Sequence, residues 1–518
     1  MKHFFEKHFG NYDRTVLWGN AVFVALLCIV AVLFTDGFST FWSKANAAIT
    51  DNFGWFYTLM NVGLMVVCFI VAFSKWGRIK LGKDNEKPQY STFIWVAMLF
   101  SASIGVGVYF YGAAEPLMHY MQPPYLAEGQ TPDAMAVGMA VSFFHWGFIS
   151  QGIYLVVGLG IGIAAYRLNK PFSYSSALYG VLGEKAYGPV GKILNFLCVF
   201  CTLTGLATAT GMAVLQLSWV IQDALGLQNA VVIQLALLAI IFAIYLISSC
   251  AGLDKGMARV SSFNTYLCFG VMIFVFVFGP TKFILNLFMD GMGTHIQYLP
   301  FMAFWSDAPK TSQGWLGWWS VFYRAWSFAW APFVGGFMAR ISRGRTVRQM
   351  ILGSFFLPAL IMYIWYAVMG STSIYYEIND IVPMWEAVST QVESGFFTML
   401  KGLPLSKVMS VVSFVNLITF VVTSADSGSL YVSMVCANGD ANPRVGIKVF
   451  SAVLMAIIPA VLLIGGGLPA VQTMSVVSGF PIAIVSIFIV ISIFKMVSAI
   501  YAKDYRLPDR RDASPLSE

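Results

Sequence analysis

"FYRAWSFAWAPFVGG", residues 322–336, sets a single charge, Arg324, into a run that is otherwise apolar and aromatic. It is the centre of a segment, 315–339, long enough to cross a hydrocarbon core of about 30 Å. A guanidinium at that depth costs at least ~2.5–3.5 kcal/mol, so Arg324 reads as a residue with a task. Runs of similar length recur at 15–35, 52–73, 92–113, 136–166, 191–222, 229–250, 260–281, 348–371, 404–436, 446–466 and 474–500. With the first they make about twelve spans. The fold class that follows is an all-α polytopic membrane protein.

Composition agrees. The 518 residues are 58% hydrophobic and 11% charged, where a soluble domain carries about a quarter charged; mean hydropathy is +0.73. The first 14 residues are polar and basic, and the run behind them is too long, and has no small-residue cleavage site, for a removable signal. One transmembrane domain, 15–500, is therefore expected between a cytoplasmic N-terminus, 1–14, and a short tail, 501–518. Of the 31 Lys and Arg, only Lys44, Lys282, Lys310, Lys401 and Lys407 fall on one set of ends, and Arg324 lies within a span. All others gather on the opposite set, in stretches such as "SKWGRIKLGKDNEK", "ARISRGRTVR" and "KDYRLPDRR". By the positive-inside rule both termini are cytoplasmic; the cell (plasma) membrane, in bacteria the inner one, is the expected location. The net charge of +7 then reflects topology and membrane lipid, and nucleic acid is excluded as a partner. The seven cysteines lie in or beside spans and form no disulfide framework; Cys198 and Cys201 read as small packing residues. Between spans 7 and 8, about 282–303, a partly amphipathic segment is expected to lie in the interface.

Two spans carry polar interruptions. In span 3, "FSASIGVGVYFYGAAEP", residues 100–116, sets Gly105 and Gly107 two apart behind Ser101 and Ser103. Glycines so placed favour unwinding, which frees carbonyl oxygens for an ion; close helix packing through small residues is the other reading. In span 10, Thr423, Ser424, Asp426, Ser427 and Ser429 form a polar island in an apolar helix. Such hydroxyls either bond back to the preceding turn or offer oxygens to a small hard cation. Span 3 opens one possible set of five helices (3–7), about 92–281, and span 8 opens another (8–12), about 315–500. Each opener holds a glycine pair, the second being Gly335 and Gly336. An odd number of helices per set inverts the second copy, and paired interrupted helices point to a transport site.

"FYRAWSFAWAPFVGGFMARISRGRTVRQ" resembles the tryptophan-rich eighth helix and following loop of the betaine/carnitine/choline transporters. "GVGVYFYGAAEPL", "FFHWG" with "IYLVVG", "GLDKGM" and "VTSADSGS" are similar to further blocks of that family, in the same order from about residue 15 to 500. The resemblance implies a LeuT-like core of two inverted five-helix repeats behind two extra helices. It also implies a homotrimer that meets through the amphipathic segment before span 8. For Na⁺-coupled members it implies one sodium between spans 3 and 10, which maps onto Ser101, Ile104, Phe420, Thr423 and Ser424. Exchangers of the family lose the "TSADS" block and carry an arginine near "GLDKGM", where this chain has Ala258 with Arg259 one step on. Gly107 is not acidic, which speaks against proton coupling. Sodium symport with no further cofactor is the expectation.

The family's aromatic cage holds a trimethylammonium head by the ring quadrupole. Its positions map to Trp146, Gln151, Tyr154 and Ser327, so half the cage is replaced by polar side chains. Arg324 stands at another tryptophan position, one turn before Ser327. Ser103, Gly105 and Gly107 border the same pathway, and Trp326 and Trp330 keep the family's identity. A guanidinium fork suits a carboxylate or sulfonate, while Gln and Ser suit an ammonium with hydrogens. A small zwitterion that is not fully methylated is expected: glycine, sarcosine, dimethylglycine or a taurine-like acid. Arg324 has two other readings, a pair with Glu115 or Asp426, and a charge that repels choline. Glycine betaine, choline or carnitine uptake, betaine exchange, and a transport-like membrane sensor are the alternatives. An enzyme is not expected, since no metalloprotease, nucleophile-elbow or P-loop motif is present. The five histidines, His3, His8, His119, His145 and His295, show no metal-ligand spacing, and His145 reads as a hydrogen-bonded structural residue. The short tail fits nutrient uptake better than osmotic regulation.

Overall fold

The computed structural model describes residues 8–103, 105–227, 231–250, 254–465 and 467–504. Ile104 lies outside them, as do the side chains of Ser103, Ala258 and Arg259 and the chain before 8 and after 504. The main helices are α1 (Arg14–Leu33), α2 (Thr35–Phe73), α3 (Thr92–Ser103), α4 (Gly107–Tyr111), α5 (Ala114–Met121), α6 (Pro132–Trp146), α7 (Gln151–Arg167) and α8 (Pro189–Leu225). After them come α9 (Val231–Cys250), α10 (Asp254–Phe278), α11 (Thr281–Phe304), α12 (Phe322–Ile341), α13 (Val347–Ile378), α14 (Ser406–Cys436), α15 (Val445–Gly465) and α16 (Gly467–Asp504).

Among the described residues ten helical segments are long and apolar enough to span a membrane, or eleven with a pair bent by 64° between Thr92–Ala102 and Gly107–Met121. The expected twelfth, α12, is not among them. Its indoles, Tyr323 and Arg324 dilute its hydropathy, and it is enclosed by protein instead: every residue from Phe322 to Ile341 is buried except Arg340. α7 is equally enclosed from Gln151 to Ala164, and α12 packs against it. At the periphery α9 is the converse, with Val232, Ile240 and Ile247 exposed as a lipid-facing helix requires.

Three boundaries depart from the sequence expectation. Residues 36–51, left between the first two expected spans, extend α2 as helix. The fourth span is not continuous: α6 ends at Trp146, Gly147 is extended (φ −77°, ψ −158°), and a 3₁₀ turn over Phe148–Ser150 leads into α7. The second glycine pair does not interrupt α12. A Cβ on Gly335 would stand 2.7 Å from the Tyr154 carbonyl oxygen, and one on Gly336 would enter the Tyr431 ring, so this pair serves close packing. The segment at 282–303 is helical, as α11.

Two basic loops join edge to edge. Leu81 donates to the Arg345 carbonyl at 2.9 Å, Gly344 to that of Leu81 at 2.7 Å, Val347 to that of Ile79 at 2.8 Å and Gln89 to that of Arg343 at 3.2 Å. Arg343 Nε pairs with Glu86 Oε1 at 2.6 Å beside them.

Candidate functional site

Both helix breaks face the same place. At the first, Gly105 holds φ +47°, a left-handed conformation that residues with a Cβ adopt only at a cost. A Cβ there would stand 3.4 Å from Ser424 Oγ and 3.5 Å from the Trp330 ring, and one on Gly107 would enter the Trp146 ring. Side chains from other helices serve carbonyls just past the break. Trp365 Nε1 donates to Val108 O at 2.9 Å, and Gln216 Nε2 to Tyr109 O at 3.0 Å. At the second break, Trp146 ends α6 and Gln151 begins α7, so the two side chains flank one space.

That space is a cavity of about 40 Å³, room for roughly three waters at ~10–15 Å³ each. Its lining joins six residues expected from the sequence to meet the solute, Trp146, Gln151, Tyr154, Trp326, Ser327 and Trp330, with Ser150, Tyr323 and His145, the last expected only as a structural residue. Trp146 stands 5.1 Å from Tyr323 and 6.4 Å from Trp326, ring centre to ring centre, and Trp326 stands 5.7 Å from Trp330. The Tyr154 and Ser327 hydroxyls are engaged: Tyr154 donates to Ser327 Oγ at 3.2 Å, and Ser327 donates to the Tyr323 carbonyl at 2.9 Å. Among the described residues, two fully buried polar atoms of the lining have no hydrogen-bond partner, the acceptor Gln151 Oε1 and the donor Trp330 Nε1.

Arg324 does not line the cavity. It turns away from Ser327, donates from Nη1 to Thr58 Oγ1 at 2.9 Å and lies 5.3 Å from the Phe144 ring centre. Neither acid named as a partner is beside it. Asp426 accepts from Ser249 at 2.6 Å and Ser248 at 2.8 Å. Glu115 is held elsewhere: Oε1 meets His145 Nδ1 at 2.7 Å, and Oε2 accepts from Trp146 Nε1 and from the Tyr323 hydroxyl, each at 2.7 Å. His119 Nε2 lies 3.4 Å from Oε1, and His145 Nε2 meets Ser320 Oγ at 2.8 Å. Glu115, His119 and His145 thus offer three ligand-type atoms within 4.8 Å of one another. Linear spacing hid this group, because the chain turns back between α5 and α6.

Of the residues named for sodium, Ser101 Oγ and Thr423 Oγ1 are 3.4 Å apart, and Asn264 Nδ2 donates to Thr423 Oγ1 at 3.2 Å. Thr423 also bonds back to the Thr419 and Phe420 carbonyls, at 2.9 and 3.0 Å. Ser424 Oγ is buried with no hydrogen-bond partner, and Gly105 packs against it. A bare hydroxyl oxygen beside an unwound backbone suits a small cation as cargo.

Larger spaces lie apart from the cavity. A vestibule of about 610 Å³ is lined by Tyr111, Gln122, Trp315, Trp319 and Gln472 among others. Another, of about 660 Å³, runs between α2 and the segment around Lys310 and Trp318, and holds none of the residues expected from the sequence to bind solute or sodium.

A family model described as betaine/carnitine/choline family transporter matches residues 15–501. A glycine betaine transporter of Bacillus subtilis is 34% identical over 489 residues, 94% of this chain and 95% of its own length. An ectoine/hydroxyectoine transporter of Virgibacillus pantothenticus is 34% identical over 491 residues, 94% of this chain and 97% of its own. An osmo-dependent choline transporter of Acinetobacter baylyi is 33% identical over 506 residues, 97% and 72%.

Proposed function

The chain belongs to the betaine/carnitine/choline transporter family, and from that premise we propose that it imports a small zwitterion whose ammonium keeps at least one N–H, by sodium symport with alternating access. It is a multi-pass membrane transporter and not an enzyme, of the kind that moves quaternary-amine solutes by secondary transport. The observation that carries the finer reading is the pair of unpartnered polar atoms among aromatic rings. Gln151 Oε1 can accept from an ammonium N–H, and Trp330 Nε1 can donate to a carboxylate or sulfonate. A trimethylammonium head has no hydrogen to give, and so would leave the Gln151 oxygen buried and unmet, an expense of about 1–3 kcal/mol. Glycine, sarcosine, dimethylglycine and taurine-like acids meet both atoms. Arg324 is assigned to the support behind the cavity, ordering Thr58 and Phe144.

A second reading, uptake of glycine betaine or choline, is favoured by the five rings of Trp146, Tyr154, Tyr323, Trp326 and Trp330 around the cavity. Thermal stabilisation of the purified protein separates the two. At 100 times its dissociation constant a ligand stabilises by about 2.7 kcal/mol. Sarcosine, dimethylglycine, glycine or taurine should raise the melting temperature in Na⁺ but not in K⁺, while glycine betaine and choline leave it unchanged. A shift with betaine or choline alone would sink the N–H reading. Uptake into proteoliposomes with and without internal solute distinguishes net symport from exchange.

A further inference from the structure

Between the vestibule and the cavity lies one aromatic layer. Tyr111 is 6.0 Å from Trp146, 5.3 Å from Tyr323 and 5.9 Å from Trp319, ring centre to ring centre. Tyr111 and Trp319 face the vestibule, and Trp146 and Tyr323 face the cavity. Directly behind this layer sits Glu115, fully buried, in the first turn of α5 beyond the glycine break. Its Oε2 accepts at once from Trp146 at the end of α6 and Tyr323 at the start of α12.

We propose that Glu115 is the positioning residue that latches this layer shut, one carboxylate oxygen holding Trp146 and Tyr323 together across the mouth of the cavity. The latch rests on the transport reading only for its purpose; its geometry stands without it. Trp146 and Tyr323 approach from different helices and share no hydrogen bond of their own. Their common acceptor is carried by α5, on the outer limb of the bent pair. Any movement of α5 away from α6 and α12 breaks both bonds together, and the layer parts between the two rings.

The histidines support the carboxylate and do not form a metal site with it. Trp315 Nε1 lies 3.4 Å from His119 Nδ1, and an indole N–H can only donate. His119 Nδ1 is therefore the acceptor, its Nε2 carries the proton, and no lone pair on that side remains for an ion. Three donors, from His145, Trp146 and Tyr323, converge on Glu115, as an acceptor-only carboxylate requires, and His119 Nε2 stands 3.4 Å from Oε1 without a hydrogen bond to it.

The test places a reporter behind the layer. In the full chain carrying Ser327→Cys, reaction of residue 327 with a small cationic thiol reagent is followed by peptide mass spectrometry. Glu115→Ala should raise its rate at least tenfold. Glu115→Gln should label close to the parent rate, because the carboxamide oxygen still accepts from both rings' donors. Should Glu115→Ala expose all cysteines alike and melt early, it has unfolded. Tyr323→Phe then decides, since it removes one donor and keeps the ring, and it should accelerate labelling at 327 alone. Parent-rate labelling in the folded Glu115→Ala or in Tyr323→Phe overturns the latch. So does equal acceleration by Gln and Ala, which would make the charge and not the shared acceptor responsible. Labelling needs no solute, so failure of the latch and failure of the substrate reading are seen separately.

Discussion

At Arg324 the guanidinium reaches Thr58 with one nitrogen while its central carbon lies over the Phe144 ring. A lysine is a point donor and cannot do both. Arg324→Lys should therefore lower stability by about 1.5–3 kcal/mol, the worth of a charged hydrogen bond. Solute affinity should change less than threefold, measured by melting and by titration of the same preparation. A tenfold loss of affinity with unchanged melting would put Arg324 in the binding site instead. Ser424 is the opposite case, because its hydroxyl has no protein hydrogen bond to lose. Ser424→Ala should leave melting in K⁺ unchanged and raise the sodium concentration for half-maximal uptake at least tenfold; an unchanged sodium requirement would remove Ser424 from the ion's ligands. Residue identity let the sequence name Trp146, Gln151, Tyr154, Trp326, Ser327 and Trp330 as neighbours, since a motif carries its positions with it. It did not show which way Arg324 turns, because a three-residue step leaves two side chains about 60° apart on a helix. Glu115 was named only as a partner for Arg324; its hold on Trp146 and Tyr323 depends on the turn between α5 and α6.

Among the elements, the two glycine pairs look alike in sequence and do different work. Gly105 is needed for its left-handed backbone, whereas Gly335 and Gly336 are needed for contact with α7 and the Tyr431 ring. Gly105→Ala carries ~1–2 kcal/mol of backbone strain, and should weaken both sodium dependence and solute binding while the protein still reaches the membrane. Sodium-dependent melting shifts of the variant provide the check; a full sodium response would mean that the unwound turn does not shape the ion site. The break at Gly147 went unread because "HWGFIS" carries one glycine in a strongly apolar span, and a lone glycine is more often tolerated within a helix. What makes it a break is tertiary: a Cβ there would collide with the Tyr363 hydroxyl and the Phe143 carbonyl.

For the whole molecule, hydropathy gave the membrane class and most spans; α12 differs in its composition, since enclosure by protein lets it carry indoles and a guanidinium that a lipid-facing helix would not. The trimer implied by the family resemblance would use α11, which presents Leu285, Met289 and Ile296, 51%, 66% and 66% exposed, along one face. Native mass measurement should find three copies, and Met289→Glu with Ile296→Glu should reduce them to one. Three copies in that double variant would move the interface elsewhere. The pairing of the 79–89 loop with 343–347 bears on how the protein can be handled. Loops between spans are the customary place to insert a tag or a fluorescent reporter. Here both loops spend their backbone on each other. A reporter placed in either would part the connection that ties the two leading helices to the α12–α13 corner, so the sites to label are elsewhere.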